Sequence, residues 1–272
     1  MTHYIRMDFS LASAGIMRKA LTLAYHHVSH RRAFGKRISD QPQMINALAD
    51  LAIESEAALL LAMRMVSAAD AQGHSTHDAN MLRVGVPISK FWNCKRVNHV
   101  VLEALECHGG MGSVEEQAIA RLLREAPLNS IWEGTSAMMG LDFNRALRRE
   151  PGTKEALLTE MRSSKGTDSR LDNYISTLET ELNNADNDLE PHARRLMAKS
   201  AMALQASLLV RHSTQEVAEL FIASRMGGEG PMNSGRCRWL GRPCLALWSA
   251  HCLSSDVFGI RRQVQHVASA AS

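Results

Sequence analysis

The sequence predicts an all-α protein built from two helical bundles in tandem, and three observations support this fold class. Apolar residues recur at helical spacing along much of the 272-residue chain, and no strand-like alternation is long enough to indicate a sheet. The 15 methionines and many alanines favour helices, because such side chains lose little freedom there. Pro151-Gly152 divides the chain into an N-terminal domain, residues 1–150, and a C-terminal extension, residues 151–272.

Five helices are predicted in the N-terminal domain, and several of their ends carry capping signals. The predicted spans are 11–32, 43–72, 79–108, 114–124 and about 136–149. Gly35 occupies the place of a left-handed C-cap for the first helix, whereas Asp40 and Pro42 are typical of the start of the second. Pro87 is expected to kink the third helix or to end a first short piece of it.

The C-terminal extension carries a second series of helical patterns. Helices are predicted over 154–165, 171–183, 190–212 and 215–225, followed by a loop over 227–241 and a last helix over 243–253. We therefore expect a second helical bundle, and bundles place functional sites between facing helices or at loop corners.

Composition and charge limit the possible function classes. A net charge of +3 is too small to indicate a nucleic-acid-binding protein by itself, and five cysteines without a C-x-x-C pair favour a reduced intracellular setting over a disulfide framework. The N-terminal residues lack the apolar stretch of a secretory signal, and no apolar window is long enough for a membrane span. We expect a cytoplasmic protein without a membrane anchor.

The candidate site with the most chemical content is the corner Ile131-Trp132-Glu133-Gly134-Thr135-Ser136. A carboxylate just ahead of a helix can be presented to a cleft, and Gly134 allows close approach of a ligand to the backbone. Thr135 or Ser136 can cap the helix, and the first free N–H groups there form a ready anion site. Alternatively, Glu133 only interacts favourably with the positive end of the helix.

Two further motifs are weaker when taken alone. Glu106-Cys107-His108-Gly109-Gly110-Met111-Gly112 suits contact with a nucleotide, although a simple helix-ending turn is the more common explanation. The basic corner Arg31-Arg32-Ala33-Phe34-Gly35-Lys36-Arg37 could bind a phosphate and stack a ring, or could be solvated charge at a helix end. The histidines of His26-His27-Val28-Ser29-His30 have no carboxylate or second cluster beside them, so we predict no metal site.

The order of these three motifs resembles the C-terminal four-helix domain of acyl-CoA dehydrogenases over about residues 6–149. The pattern is Arg-x-x-Phe-Gly, a long helix, Glu-x-x-Gly-Gly-x-Gly and then Trp-Glu-Gly-Thr-Ser. Arg6-Met7-Asp8, the stretch 129–134 and the helical extension are more narrowly similar to the alkylation-response (AidB-type) branch. The resemblance implies a four-helix up-and-down bundle followed by a second helical bundle.

The resemblance also implies that FAD is the cofactor and that it lies at a subunit interface of a tetramer, a dimer of dimers. By this resemblance Thr135 and Ser136 touch the flavin of their own subunit. The other implied flavin contacts are Arg31, Phe34 and either Gln41 or Gln43 toward a neighbouring subunit's flavin, and Glu106, Gly109, Gly110 and Gly112 near its adenosine end.

Glu133 matches the family's usual catalytic base, which takes the α-proton of an acyl-CoA thioester while hydride passes to the flavin. Such a proton is weakly acidic, so donors such as the base residue's own N–H must stabilise the enolate-like oxygen. Some relatives carry the base on an earlier helix, at the position of Ile5, which cannot act as a base. Arg6 and Gly134 are the implied substrate contacts. Because the family's N-terminal helical and middle β domains are absent from this sequence, we expect weak FAD binding by the chain alone.

Two alternative functions remain open at this point. One is a DNA-associated alkylation-response protein, since basic residues outnumber acidic ones after Pro191, although a solvated helical surface explains this equally well. The basic residues concerned are Arg194, Arg195, Lys199, Arg211, Arg225, Arg236, Arg238, Arg242, Arg261 and Arg262. The other is a non-catalytic bundle that oligomerises through apolar helix faces.

Overall fold

The computed structural model describes residues 1–184 and 190–226, which are mainly helical, and the prediction of an all-α fold is confirmed. The helices are α1 Thr2–His30, α2 Pro42–Ala71, α3 Thr76–Glu106, α4 Ala118–Glu125, α5 Ser136–Arg149, α6 Thr153–Arg162, α7 Ser169–Asn184, α8 Ala193–His212 and α9 Gln215–Met226. The predicted loop over 227–241 and the predicted helix over 243–253 lie outside the described residues.

Helix α1 begins nine residues earlier than predicted, at Thr2 rather than at residue 11. Its first turns are rich in polar side chains, which hide the helical pattern. Two of these side chains, Arg6 and Ser10, are nevertheless buried, because Arg6 pairs with Asp142 and the Ser10 hydroxyl lies 2.5 Å from that of Ser89. Tertiary partners therefore stabilise a start that local periodicity does not reveal.

A small β-ribbon follows α1 where a helix C-cap was expected. Strands β1 (Arg32–Ala33) and β2 (Lys36–Arg37) pair antiparallel, and Phe34 and Gly35 form the turn with φ of 53° and 80°. Left-handed backbone at both central positions is typical of a type I′ hairpin turn. The expectation that Gly35 ends the helix was wrong, because the chain is already extended at Arg31.

Two smaller expectations about helix ends also needed correction. Of the two outcomes expected at Pro87, a kink or the end of a first short piece, the second does not occur, because helix α3 continues through it. Pro87 is buried in tertiary packing that offsets its missing hydrogen bond. Helix α2 starts one residue later than an Asp40 cap requires, with Gln41 as the N-cap and Pro42 at the tolerated first position.

The N-terminal helices enclose a core between α1, α2, α3 and α4. Met17 of α1, Leu51 of α2, Val97 of α3 and Ile119 of α4 are all buried in it. Helix α1 packs antiparallel to α2 and parallel to α3, which is the order expected of an up-and-down bundle.

The C-terminal helices share a second core with α2, α3 and α5. Leu61, Phe143, Leu157, Leu204 and Phe221 are among its buried members. Helix α8 lies at the centre of this packing and contacts α2, α3, α5, α6, α7 and α9. The boundary at residues 150 and 151 remains a prediction, but the two groups of helices are joined by a continuous apolar interface.

A buried ion cluster around Glu160 of α6 joins the extension to the N-terminal helices. The Glu160 carboxylate lies 2.8 Å from Arg64 of α2 and 2.6 Å from Arg211 of α8, and His77 of α3 is 3.4 Å away. The Glu160 side chain is only 5% exposed, so these partners are what makes a charge tolerable there.

The Glu160 cluster predicts loss of stability in acid. Burial raises the pKa of Glu160, but Arg64 and Arg211 outweigh it and lower this pKa from 4.5 to about 2. A carboxylate with a depressed pKa stabilises the fold fully above pH 4.5, and this contribution is lost as the pH falls toward 2. Denaturant unfolding across this pH window should show the loss in the natural chain and a smaller one in Glu160→Gln. Equal losses in both proteins would contradict the prediction.

Within residues 1–184 and 190–226, no helix combines the length and apolar character needed to cross a bilayer. The same residues contain no cluster of three side chains suited to holding a metal ion.

Candidate active site

The corner that contains Glu133 connects a 3₁₀ turn, Leu128–Ser130, to the start of α5. Glu133 and Gly134 both have left-handed backbone, with φ of 54° and 107°. Glycine adopts this conformation freely, whereas for a residue with a β-carbon it costs about 1–2 kcal/mol. The Glu133 side chain is exposed, so the corner presents a carboxylate outward from a strained backbone.

Two buried cations hold this corner from behind. The Arg6 Nε donates to the backbone carbonyl of Glu133 at 3.0 Å, and the Lys90 Nζ donates to the carbonyl of Gly134 at 2.5 Å. Consecutive carbonyls are therefore both bound by the protein interior. This accounts for the persistence of the left-handed conformation at Glu133, since such strain survives only where the surroundings enforce it.

Arg6 is itself held by a chain of ion pairs. Its Nη1 lies 2.5 Å from Asp142 of α5, and the same carboxylate accepts from Arg83 of α3 at 2.9 Å. Arg83 also pairs with Glu150 at 2.8 Å. Arg6 was predicted to contact substrate; the structure places its guanidinium against the backbone of Glu133 and against Asp142, behind the corner.

Sequence reasoning missed Lys90. It lies in an apolar stretch of α3 and is 1% exposed, and its neighbours in the sequence give no indication of what its ammonium binds. Burial lowers the pKa of its ammonium, and the charge of Arg6 acts in the same direction. Contact with the Gly134 carbonyl is visible only in three dimensions.

The outer side of the corner offers hydrogen-bond donors. In the part of the chain that the structure describes, the backbone N–H groups of Glu133, Gly134 and Thr135 donate to no protein acceptor. Thr135 is the N-cap of α5 but makes no side-chain capping bond, and Ser136 begins the helix. These free donors at a helix N-terminus suit a carbonyl or phosphate oxygen of a ligand.

A second set of predicted residues surrounds the β-ribbon. Phe34 is 93% exposed at its tip, and Arg31 is exposed at its base. Gln41 is half-buried, and its Nε2 is a buried donor without a partner among the described residues. Gln43 is exposed on the first turn of α2. An unsatisfied buried amide favours Gln41 over Gln43 as a ligand contact.

The glycine-rich turn lies at the same end of the bundle as the ribbon. Gly109–Ser113 forms a 3₁₀ turn after α3, and the His108 ring lies 4.8 Å from that of His27 near the end of α1. Gly110 is exposed, as are Gly109 and Glu106. Gly112 instead packs inward, where a β-carbon would lie 2.5 Å from the Leu105 carbonyl oxygen. Bare backbone at the two exposed glycines leaves room for a ligand.

The two sets of residues lie at opposite ends of α1. Arg6 is in its second turn and Arg31 is its C-cap, so 25 residues at 1.5 Å each separate them by about 37 Å. The structure thus joins Glu133 with Arg6, Gly134, Thr135 and Ser136 but does not bring the ribbon to the same place within one chain.

Comparison with known proteins places the chain in a family. The family described as "Acyl-CoA dehydrogenase, C-terminal domain" matches residues 2–148, just over half of the chain and all of the residues described in the two sets above. The chain belongs to the acyl-CoA dehydrogenase family. The match begins with α1 and ends within α5, so the Glu133 corner and the ribbon both lie within the matched residues.

Individual relatives extend the similarity into the C-terminal helices. The putative acyl-CoA dehydrogenase AidB of Escherichia coli is 36% identical over 177 residues, which is 65% of this chain and 32% of that protein. A Caenorhabditis elegans acyl-CoA dehydrogenase, ACDH-11, crystallised with C11-CoA, superposes with a TM-score of 0.73 at 23% identity, over 94% of this chain and 48% of that chain.

A Bacillus anthracis acyl-CoA dehydrogenase complexed with FAD has a TM-score of 0.60 at 17% identity, over 84% of this chain and 43% of that chain. The two structures share the fold. Across these comparisons the chain spans between 32% and 48% of the length of the proteins it matches.

Several of the basic residues considered for DNA contact are engaged in ion pairs. Arg195 and Lys199 share Glu181, Arg211 binds Glu160, and Arg225 binds Asp50 and Glu54. Five more of them, Arg236, Arg238, Arg242, Arg261 and Arg262, lie outside the described residues. DNA binding stays a prediction, and the described ion pairs reduce the charge available for phosphate contact.

The shape of the corner predicts that Gly134→Ala is destabilising. A β-carbon at φ of 107° would lie 3.0 Å from the Met138 Cβ and 3.1 Å from the Met139 Cε. We expect a loss of about 1–3 kcal/mol in unfolding free energy. Gly110→Ala is the control, since a β-carbon there meets nothing within 4 Å. Denaturant unfolding of both variants checks this, and equal stability of the two would contradict the proposed strain.

Proposed function

We propose that this chain provides the catalytic base and part of the flavin and substrate surface of an FAD-dependent acyl-CoA dehydrogenase. The observation that carries the proposal is the corner itself. It presents the exposed Glu133 carboxylate beside free N–H groups, and two buried cations fix the backbone behind it.

The corner residues support removal of an α-proton from an acyl-CoA thioester. The Glu133 carboxylate accepts the proton, and the neighbouring backbone N–H groups donate to the thioester oxygen as negative charge develops on it. Arg6 and Lys90 keep the carbonyls of Glu133 and Gly134 turned inward, so that neither repels that oxygen. Arg6 therefore acts on the substrate indirectly, by orienting the backbone of Glu133, and Gly134 permits close approach of the substrate to the backbone.

The residues present also fit FAD. When bound, FAD accepts the hydride that leaves the substrate β-carbon. The free N-terminus of α5, with Thr135 and Ser136, offers donors to the flavin of the same subunit. At the ribbon end, exposed Phe34 offers a stacking face, and the unsatisfied Gln41 amide offers a donor. The remaining contacts proposed there are Arg31, Gln43, Glu106, Gly109, Gly110 and Gly112.

The distance between the two ends supports a homo-oligomer. Because about 37 Å separates Arg6 from Arg31 along α1, one chain cannot place both ends on the reacting part of a single flavin. A second copy that contributes its ribbon resolves this, and a tetramer formed as a dimer of dimers provides such pairs.

Flavin reduction by an acyl-CoA tests the proposed function. The protein used is this chain fused behind the N-terminal and middle domains of a family relative, hereafter the completed protein. It should retain yellow FAD after purification and lose the flavin absorbance on anaerobic addition of an acyl-CoA. Failure of short, medium and branched acyl-CoAs to reduce bound flavin would reject the proposal.

A further inference from the structure

Lys90 is an unusual side chain in this fold because its ammonium is buried and forms no ion pair with any residue that the structure describes. It lies in the middle of α3 and is 1% exposed. Among the residues that the structure describes, no carboxylate lies within ion-pair distance of its Nζ, and its one hydrogen bond goes to the Gly134 carbonyl. Burial of a charge without a partner is costly, so a lysine is a poor choice for packing alone.

Neighbouring polar groups bind one another and do not bind Lys90. The Asn93 amide donates to the Ser10 hydroxyl at 2.9 Å and to the Ala58 carbonyl at 2.9 Å, and Ser89 contacts the same Ser10 hydroxyl. This group joins α1, α2 and α3 without Lys90. The ammonium is thus directed to the Glu133 corner rather than to the helix interface.

We infer that Lys90 is a positioning residue that sets the orientation of the Glu133 corner by binding the Gly134 carbonyl. With that carbonyl turned inward, the peptide between Gly134 and Thr135 directs its N–H outward, toward the free end of α5. The catalytic meaning of this role rests on the proposed function of Glu133. The geometric role does not depend on it.

Lys90 differs from Arg6 in what else it supports. Arg6 also binds Asp142, which connects it to Arg83 and Glu150, so its removal breaks a wider ion network. Lys90 has the corner as its hydrogen-bonding partner. Lys90→Met keeps an unbranched side chain, one atom shorter, and removes the donors, so it tests the corner separately from the rest of the fold.

Backbone resonances of the isotope-labelled chain measure this role directly. In Lys90→Met we expect the Gly134 carbonyl and Thr135 amide resonances to shift, with the unfolding midpoint unchanged or raised because an unpaired buried charge is gone. Lys95→Met, at an exposed position on the same helix, is the control and should leave both resonances in place. Unchanged Gly134 and Thr135 resonances in Lys90→Met would overturn the inference.

The unmodified chain provides a second measurement in case Lys90→Met does not fold. Burial lowers the pKa of Lys90, and the Gly134 carbonyl resonance should titrate together with the Lys90 Cε resonance as pH rises. If the Gly134 carbonyl resonance does not change while the Lys90 Cε resonance titrates, the inference is overturned in the same way.

Turnover of the completed protein separates positioning of the base from binding of substrate. Lys90→Met should lower kcat by about 100-fold with little change in KM, since a misplaced base impairs chemistry more than binding. If Lys90→Met shifts the Gly134 resonances but keeps its kcat, Lys90 orients the corner without contributing to turnover. Failure of the proposed function would show itself separately, as normal turnover in Glu133→Gln.

Discussion

Replacement of Glu160 by glutamine should lower the free energy of unfolding of this chain by about 3–5 kcal/mol. The carboxylate lies between Arg64 and Arg211 at 2.8 and 2.6 Å and is nearly inaccessible to solvent. Glutamine keeps the volume but removes the charge, so Arg211 loses its carboxylate partner and Arg64 keeps only Asp78, at 2.8 Å. Denaturant unfolding at neutral pH measures the change.

Glu155→Gln is the matched control for this prediction. Glu155 is on the same helix and pairs with Arg162 at 3.2 Å, but its side chain is 67% exposed. Exposed pairs contribute at most about 1 kcal/mol. A similar loss in both variants would mean that the Glu160 cluster does not hold the C-terminal helices against α2.

Replacement of Glu133 by glutamine should lower kcat of the completed protein by about 100- to 10,000-fold, while FAD stays bound. The amide fits the exposed position and preserves the left-handed corner, but it cannot accept the α-proton. Flavin reduction followed by stopped-flow absorbance measures the loss, and the ratio of flavin to protein shows that the cofactor site is intact.

Glu125→Gln serves as the control for general effects of charge removal. Glu125 is exposed at the end of α4 and has no assigned part in the site. It should leave flavin reduction unchanged. If Glu133→Gln reduces flavin as fast as this control does, another group is the base and the assignment fails.

Local sequence patterns were sufficient to predict most of the helices. Helices α2 and α5 begin and end within one or two residues of their predicted bounds, because apolar spacing, Pro42 and the loop before Ser136 are signals contained in the segment itself. The loop character of the Glu133 corner was predicted for the same reason.

Features that depend on distant residues could not be predicted. The first turns of α1 are stabilised by Asp142 and Ser89, more than 70 residues away, and the ribbon at Phe34-Gly35 reads from sequence as a helix end. Pro87 would end an isolated helix, yet packing carries α3 through it.

The candidate site shows the same division. Glu133 was found because its neighbours in the sequence form an ordered family pattern, whereas Lys90 lies 43 residues earlier in an apolar stretch with no pattern of its own. A single hydrogen bond, from the Lys90 Nζ to the carbonyl of Gly134, connects Lys90 to the Glu133 corner. Likewise, only the length of α1 shows that the ribbon and the corner lie at opposite ends of this helix.

Exchange of the substrate α-hydrogens with deuterated water is the most direct test of the claim that Glu133 is a catalytic base. In the completed protein, the natural sequence should exchange the α-hydrogens of a bound acyl-CoA, and Glu133→Gln should lose this exchange although it still binds FAD and acyl-CoA. Equal exchange rates in the two proteins, measured by mass spectrometry of the recovered acyl-CoA, would contradict the role proposed for Glu133.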